Sequence, residues 1–171
     1  MKKVHFSLAA VVILLDQITK WMADTQLTMH EQNPVMPFFN FTLMYNYGAA
    51  FSFLSDAGGW QRWFFTIIAV VISVVLVVWL IRLKSHEKWL GIGLALVLGG
   101  AIGNVIDRIR FGYVVDFIQW FGNWKEATYY WPAFNIADAA IFVGTALFLL
   151  SSFFVKDDPD ATEAAGSTAN K

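Results

Sequence analysis

The stretch FFTIIAVVISVVLVVWLI, residues 64–81, decides the fold class, because none of its residues is charged. An α-helix that crosses a bilayer needs about 20 consecutive, mainly apolar residues. This stretch therefore predicts a membrane-spanning helix.

Three further segments are apolar over a comparable length, although polar residues interrupt the first of them. A basic start followed by an apolar run would also suit a cleaved signal peptide, but no small-residue cleavage site follows. We therefore predict four transmembrane helices, at about residues 4–23, 63–82, 89–108 and 136–155.

The composition agrees with a membrane protein of one domain. Of the 171 residues, 57% are hydrophobic and 15% are charged, against roughly 25% charged in soluble domains. A net charge of −1 without a basic stripe argues against a nucleic-acid partner. We expect a single domain over residues 1–155 and a disordered cytoplasmic tail over residues 156–171, which is polar and rich in small residues.

Basic residues predict the orientation of the helices. They precede the first helix and also lie between the second and third, as Lys2, Lys3, Arg82, Lys84 and Lys88. By the positive-inside rule both groups are cytoplasmic, and so are both termini. The segments at about 24–62 and 109–135 should then lie on the outer side.

The first outer segment has a strand-like pattern. In FFNFTLMYNYGAAFSFL, residues 38–54, aromatic, small and polar side chains alternate. Alternation places Phe39, Phe41 and Leu43 on one face of a strand and Asn40, Thr42 and Met44 on the other. We predict a small extracytoplasmic β-sheet that lies on the outer membrane surface, where aromatic residues are favoured.

Charged residues inside the predicted spans need a reason, since each costs perhaps 2.5–3.5 kcal/mol on insertion scales. Asp16 and Lys20 are four residues apart and share a helix face. Either they form a neutralised ion pair that packs the first helix, or they act on a substrate. Asn104, Asp107 and Arg108 form a polar face at the end of the third helix, which is either a stop signal at the interface or part of a site.

Asp116 and Asp138 are the strongest candidates for chemistry. The first follows helix three and the second opens helix four, so an antiparallel hairpin can bring them together near the outer surface. Two carboxylates in a low-dielectric site share a proton and can hydrolyse a peptide as general acid and general base. The alternatives are a loop aspartate and a helix-terminal charge, respectively. Asn135 lies three residues before Asp138 and can share its face.

Other catalytic signatures are missing from the sequence. It contains no HExxH zinc motif, no GxSxG nucleophile elbow, no GxGD motif and no phosphate-binding loop. With no cysteine there is also no thiol nucleophile. We expect no metal and no cofactor.

Five sequence blocks, in order, closely resemble the bacterial lipoprotein signal peptidases (signal peptidase II). They are DQITK (16–20), NYGAAF (46–51), GGAIGNVIDR (99–108), VVDF (114–117) and FNIADAAI (134–141). The resemblance implies an aspartic endopeptidase of the bacterial inner membrane, active near its periplasmic face. It would cleave diacylglyceryl-modified prolipoproteins just before the lipidated cysteine, and would bind membrane lipid and globomycin-type inhibitors.

The resemblance also implies roles for individual residues. Asp116 and Asp138 would be catalytic. Substrate binding or support of the two aspartates would fall to Asn46, Asn104, Arg108 and Asn135, and structure or positioning to Asp16, Lys20, Gly48 and Asp107. We expect a monomer. A small transporter and a non-catalytic membrane scaffold are the alternative functions.

Overall fold

The computed structural model describes residues 2–48 and 59–154. Its helices are α1 (Lys2–Gln26), α2 (Trp60–Arg82), α3 (Lys88–Arg110) and α4 (Ile136–Phe154). Its strands are β1 (Asn33–Met36), β2 (Phe39–Asn46), β3 (Val114–Trp124) and β4 (Ala127–Tyr130). The predicted tail and residues 49–58 of the first outer segment lie outside the described residues.

Within the described residues, three helices are long and apolar enough to cross a membrane. Their most apolar windows have mean hydropathies of 1.4 in α1, 3.1 in α2 and 1.9 in α3. The fourth helix is apolar too but shorter, with 19 residues. Together with the small sheet, these helices confirm the predicted class of an α-helical integral membrane protein.

Helix α3 lies at the centre of the bundle. In its apolar window 61% of the residues are buried inside the protein, whereas the figure for α2 is 17%. Much of the α2 surface therefore faces outward, where its valine and isoleucine side chains suit lipid. The other three helices all pack against α3, which makes it the element that fixes their mutual positions.

Glycines let α1 and α4 approach α3 closely. A Cβ atom added to Gly99 would lie 2.8 Å from the carbonyl oxygen of Ala9 in α1. One added to Gly100 would collide with the carbonyl oxygen of Ala137 in α4. One added to Gly103 would lie 2.6 Å from a carboxylate oxygen of Asp16. These small residues of α3 thus allow close contact with two neighbouring helices.

The two ends of the bundle differ. His5 near the start of α1 packs against Gly91 near the start of α3, so these helices begin at the same end. At the opposite end, Arg62 at the start of α2 donates hydrogen bonds to the last carbonyls of α3. The sheet lies at this second end.

Both outer segments contribute to one antiparallel sheet, with the strand order β1-β2-β3-β4. The central pair, β2 and β3, joins the two segments and places Met44 opposite Asp116 and Asn46 opposite Val114. This register brings the end of β2 beside the start of β3, which carries Asp116.

The predicted alternation in β2 is interrupted. Asn40 and Thr42 are 1% exposed, as expected for one shared face, but Leu43 is also buried at 3%. The pairing with β3 is irregular between Phe41 and Met44, so consecutive residues both turn inward there. The buried amide of Asn40 donates to Oε1 of Gln32 at 2.7 Å, while Phe39 and Phe41 remain half-buried at the surface.

Candidate active site

The start of α4 is closed by a reciprocal pair of hydrogen bonds. The backbone N–H of Asp138 donates to Oδ1 of Asn135 at 2.9 Å, and the backbone N–H of Asn135 donates to Oδ2 of Asp138 at 3.3 Å. This arrangement is a capping box, with Asn135 as the N-cap. Asp138 is therefore a helix-capping residue, and its second oxygen is engaged elsewhere.

That second oxygen joins Asp138 to the remaining polar residues. Its Oδ1 accepts a hydrogen bond from the side-chain amide of Asn104 at 2.8 Å. The amide of Asn135 in turn donates to Oδ1 of Asp116 at 2.7 Å and to Oδ1 of Asn104 at 3.3 Å. Asn135 thus contacts both aspartates, and the helix hairpin brings them together as the sequence predicted.

Asn46 completes the surroundings of Asp116. Its amide Nδ2 donates to Oδ2 of Asp116 at 3.1 Å, from the neighbouring strand. Gly48 closes a tight turn behind it, because its backbone N–H donates to Oδ1 of Asn46 at 3.0 Å. Each carboxylate oxygen of Asp116 therefore receives one amide hydrogen bond.

The two aspartates differ in their environment. Asp116 is 3% exposed, and this burial, followed by the charge of Asp138, raises the pKa of Asp116 to about 7. Hydrogen bonds from Asn46 and Asn135 act in the opposite direction on that pKa. Asp138 is only half-buried and lies in the first turn of α4, where the helix dipole favours a carboxylate.

Arg108 places a cation beside the aspartates. Its Nη2 donates to the carbonyl oxygen of Gly48 at 3.1 Å, and its guanidinium lies 6.0 Å from the ring centre of Phe65. It also interacts electrostatically with Asp138 and Asp116. Within residues 2–48 and 59–154, Gly48 is the hydrogen-bond acceptor of this guanidinium, which leaves donors for a further acceptor.

A second group of charges lies beneath the first, and we call it the lysine cluster: Asp16, Lys20 and Asp107. Lys20 Nζ lies 2.8 Å from Asp16 and 3.0 Å from Asp107, and none of the three side chains is more than 3% exposed. The predicted Asp16–Lys20 pair is present. The same ammonium donates to Oδ1 of Asn104 at 2.9 Å, which joins the cluster to the two aspartates.

Two residues at this site were missed by the sequence analysis. Gln17 donates to Oδ1 of Asp107 at 2.8 Å and to the carbonyl of Gly103 at 3.2 Å. Its position next to Asp16, inside an apolar span, was the available signal. Arg62 donates to the carbonyl oxygens of Arg108 at 2.8 Å and Ile109 at 3.0 Å, and so caps α3.

A cavity of about 280 Å³ opens beside Asp116 and Asn46 on the sheet side. Aromatic and polar side chains line it, among them His30, Tyr45, Gln119, Tyr130 and Trp131. A water-accessible cleft thus reaches one of the two aspartates from the sheet side.

Comparison with known proteins agrees with this geometry. The sequence profile of the family described as Signal peptidase (SPase) II matches residues 8–154. A lipoprotein signal peptidase of Acinetobacter baumannii is 51% identical over 94% of this chain and 90% of its own length. The lipoprotein signal peptidase of Pseudomonas putida is 54% identical over 90% and 88%, respectively.

Solved structures give the same answer for the fold. A bacterial membrane enzyme determined by the in meso method at 2.3 Å resolution superposes with a TM-score of 0.77 at 31% identity, covering 91% of this chain and 93% of that one. A second such structure, at 1.9 Å resolution, has a TM-score of 0.73 at 32% identity, covering 91% and 95%. With the profile match over most of its length, the chain belongs to the signal peptidase II family of membrane peptidases.

Proposed function

We propose that this protein removes the signal peptides of diacylglyceryl-modified prolipoproteins by cleaving just before the lipidated cysteine. The observation that carries the proposal is the pair of aspartates, Asp116 and Asp138, that contact one asparagine at the end of an apolar helix bundle. This is the arrangement that an aspartyl dyad needs, and the relatives named lipoprotein signal peptidase support the substrate.

The environments of the two aspartates divide their roles. Asp116 is buried and has the raised pKa, so it holds the shared proton at the start of the cycle and acts as general acid. Asp138 is half-buried and lies at a helix N-terminus, so we assign it the role of general base. The sequence left this assignment open.

The hydrolysis then proceeds in two steps. Asp138 takes a proton from a water molecule as the water oxygen attacks the scissile carbonyl carbon, while Asp116 donates its proton to the carbonyl oxygen. The resulting tetrahedral intermediate collapses as Asp116 recovers that proton and Asp138 delivers its proton to the leaving nitrogen. The peptide C–N bond breaks, and the dyad returns to its starting protonation.

The polar residues around the dyad support these steps. Asn104 and Asn135 hold the two carboxylates in fixed orientations through the hydrogen bonds described above. Asn46 binds Asp116 from the sheet. The free donors of Arg108 bind a backbone carbonyl of the substrate, and Gly48 keeps that guanidinium in place.

The membrane context suits a lipid-modified substrate. The signal peptide is an apolar helix that enters sideways from the bilayer, and its cleavage site lies at the outer surface. Exposed aromatic side chains on the β3–β4 hairpin suit that surface: Trp120, Trp124, Tyr129 and Tyr130. We place the protein in the bacterial inner membrane with both termini cytoplasmic, because the basic groups before α1 and between α2 and α3 lie at the bundle end opposite the sheet: Lys2, Lys3, Arg82, Lys84 and Lys88.

Three further parts of the proposal follow from the family rather than from contacts. The peptidase forms one domain over residues 1–155, with a cytoplasmic tail after it. It acts as a monomer. Globomycin-type inhibitors bind at the dyad and compete with the substrate.

A transporter that uses the same charges is disfavoured, because these charges are buried and paired with one another. Both carboxylates of the lysine cluster contact Lys20 and are at most 1% exposed, so they line no open polar path. A scaffold has no need for two carboxylates that must share a proton. The family assignment agrees with a peptidase.

The test uses purified protein in detergent and a synthetic diacylglyceryl-modified prolipoprotein. Asp116→Asn and Asp138→Asn should each lower kcat by about 10⁴-fold, since each removes one arm of acid–base catalysis. Glu126→Gln, an exposed carboxylate at the β3–β4 turn, is the matched control and should keep full activity. Normal cleavage by either dyad variant would refute the mechanism.

A further inference from the structure

We propose that Asp16 and Asp107 are positioning residues that set the separation of the two dyad carboxylates, each by holding the backbone amide just before one of them. The inference rests on the proposed function of Asp116 and Asp138. It assigns the lysine cluster a purpose beyond neutralising a charge in the membrane.

The first contact ties α1 to the start of α4. Oδ1 of Asp16 accepts a hydrogen bond from the backbone N–H of Ala137 at 2.9 Å. Ala137 immediately precedes Asp138 and is completely buried. Its N–H is one of the donors that a helix start leaves unsatisfied, so Asp16 acts as a cap supplied by another helix.

The second contact has the same form on the other side of the dyad. Oδ2 of Asp107 accepts a hydrogen bond from the backbone N–H of Val115 at 3.2 Å. Val115 immediately precedes Asp116 and is 3% exposed. Asp107 lies in α3, and this bond fixes the start of β3 against it.

Lys20 joins the two contacts into one rigid bracket. Its ammonium lies between Asp16 and Asp107, at 2.8 and 3.0 Å, respectively. Gln17 adds a donor to each, at 3.3 Å for Asp16 and 2.8 Å for Asp107. A continuous path of short contacts therefore runs from the residue before Asp138 to the residue before Asp116.

Neutralisation alone does not explain the cluster. One aspartate would be enough to pair Lys20, and a second buried carboxylate leaves the group with a net negative charge, which is costly in a low dielectric. Both carboxylates lie next to a dyad that itself disfavours negative charge. The backbone amide that each carboxylate binds explains why two of them are present.

Separation matters because the chemistry depends on it. Two carboxylates share a proton only when they lie close together, and a displacement of about 1 Å in a catalytic group can lower a rate by about 100-fold. The bracket is tightly enclosed as well: a Cβ atom at Gly103 would lie 2.6 Å from Asp16.

The test compares two substitutions of Asp107 that separate position from charge. Asp107→Asn keeps an oxygen for the Val115 amide and for Lys20 but removes the charge. Asp107→Glu keeps the charge for Lys20 but moves the carboxylate by one methylene. Thr66→Val, which removes a buried hydroxyl in α2, is the control for loss of a buried polar group.

We expect Asp107→Asn to keep kcat within about tenfold of the wild type. Asp107→Glu should lose about 100-fold in kcat with little change in KM. Its thermal unfolding in detergent should remain close to that of the control, and both limbs of its pH–rate profile should move, since they report the coupled dyad.

The reverse pattern would overturn the inference. A neutralising role alone predicts that Asp107→Glu is active with an unchanged pH profile and that Asp107→Asn is impaired. If Asp107→Glu does not accumulate as folded protein, Asp107→Asn decides alone: a loss of more than about tenfold in kcat contradicts the proposal, and a smaller loss supports it. Failure of the dyad itself is recognised separately, by activity of Asp116→Asn or Asp138→Asn.

Discussion

Two pairs of aspartates lie within the same polar centre and behave in opposite ways. Asp16 and Asp107 have the ammonium of Lys20 between them, whereas Asp116 and Asp138 share the neutral amide of Asn135. A cation between two carboxylates offsets their mutual repulsion. A neutral amide between two carboxylates leaves their repulsion in place, so that one of them retains a proton.

In the proposed mechanism, the group between two acids decides whether they serve structure or chemistry. Burial does not separate the two pairs. Three of the four aspartates are at most 3% exposed: Asp16, Asp107 and Asp116. Among the described residues, a cleft lies beside Asp116 of the dyad, and Asp138 is partly exposed. Substitutions of the groups that link or surround the two pairs of aspartates test this difference.

Removing the cation should have the largest effect. Lys20→Met leaves two buried carboxylates without a partner and should destabilise the fold by about 3–5 kcal/mol. Because the folded state would then favour the protonated form of these carboxyl groups, the variant should regain stability as the pH is lowered. Thermal unfolding in detergent between pH 5 and pH 8 measures this, and wild-type stability at pH 8 would contradict it.

The raised pKa of Asp116 should make the fold sensitive to pH. The pKa is about 7 in the folded protein and 3.8 is the ordinary value, so the folded state binds the proton more tightly. Stability should therefore fall as the pH rises from about 4 to about 7, by a few kcal/mol, because one pKa unit corresponds to about 1.4 kcal/mol.

Asp116→Asn should abolish that part of the pH dependence. Denaturation curves of the two proteins in detergent, compared at pH 5 and pH 8, provide the measurement. Equal slopes for both proteins would show that Asp116 titrates normally. Glu126→Gln should retain the wild-type slope, since its side chain is exposed.

Removing the shared amide should affect both the helix start and the dyad. Asn135→Ala deletes an N-cap, at a cost of about 1 kcal/mol. It also deletes the hydrogen bond that lowers the pKa of Asp116, so that this pKa should rise further and the pH–rate profile should move with it. An unchanged profile, with kcat intact, would show that Asn135 is only a cap.

Arg62 lies outside both pairs and should have the smallest effect. Arg62→Ala removes hydrogen bonds to two carbonyls at the end of α3, for a loss of about 1 kcal/mol. Neither pair of aspartates loses a hydrogen-bond or ion-pair partner. Both limbs of the pH–rate profile should therefore stay at their wild-type pH. A shift of those limbs would mean that the end of α3 controls the dyad.

The sequence predicted the helices well because each span is apolar over most of its length. It also predicted that Asp116 and Asp138 meet, since two consecutive helices form a hairpin. It did not predict Asp107 as a partner of Lys20, because 87 residues separate them and no periodicity links different helices. The pairing of β2 with β3, which brings Asn46 to Asp116, was missed for the same reason.

The irregular pairing in β2 had no signal in the alternation of its residues. Thr42 and Leu43 are both buried because the strand partner, and not the sequence of β2 alone, fixes where the pairing shifts.

The catalytic and substrate-binding roles of the site residues stay predictions, for which the contacts described above supply the physical support.

The hydrogen bond between Asp16 and Ala137 joins the first helix of the chain to the last. Since a chain is made from its N-terminus, α1 enters the membrane before the group that Asp16 is to hold has been synthesised. During that interval Lys20, four residues away, is already present to neutralise Asp16. The proposed dyad is therefore complete only once α4 has been made, and we expect a nascent chain without that helix to be proteolytically silent.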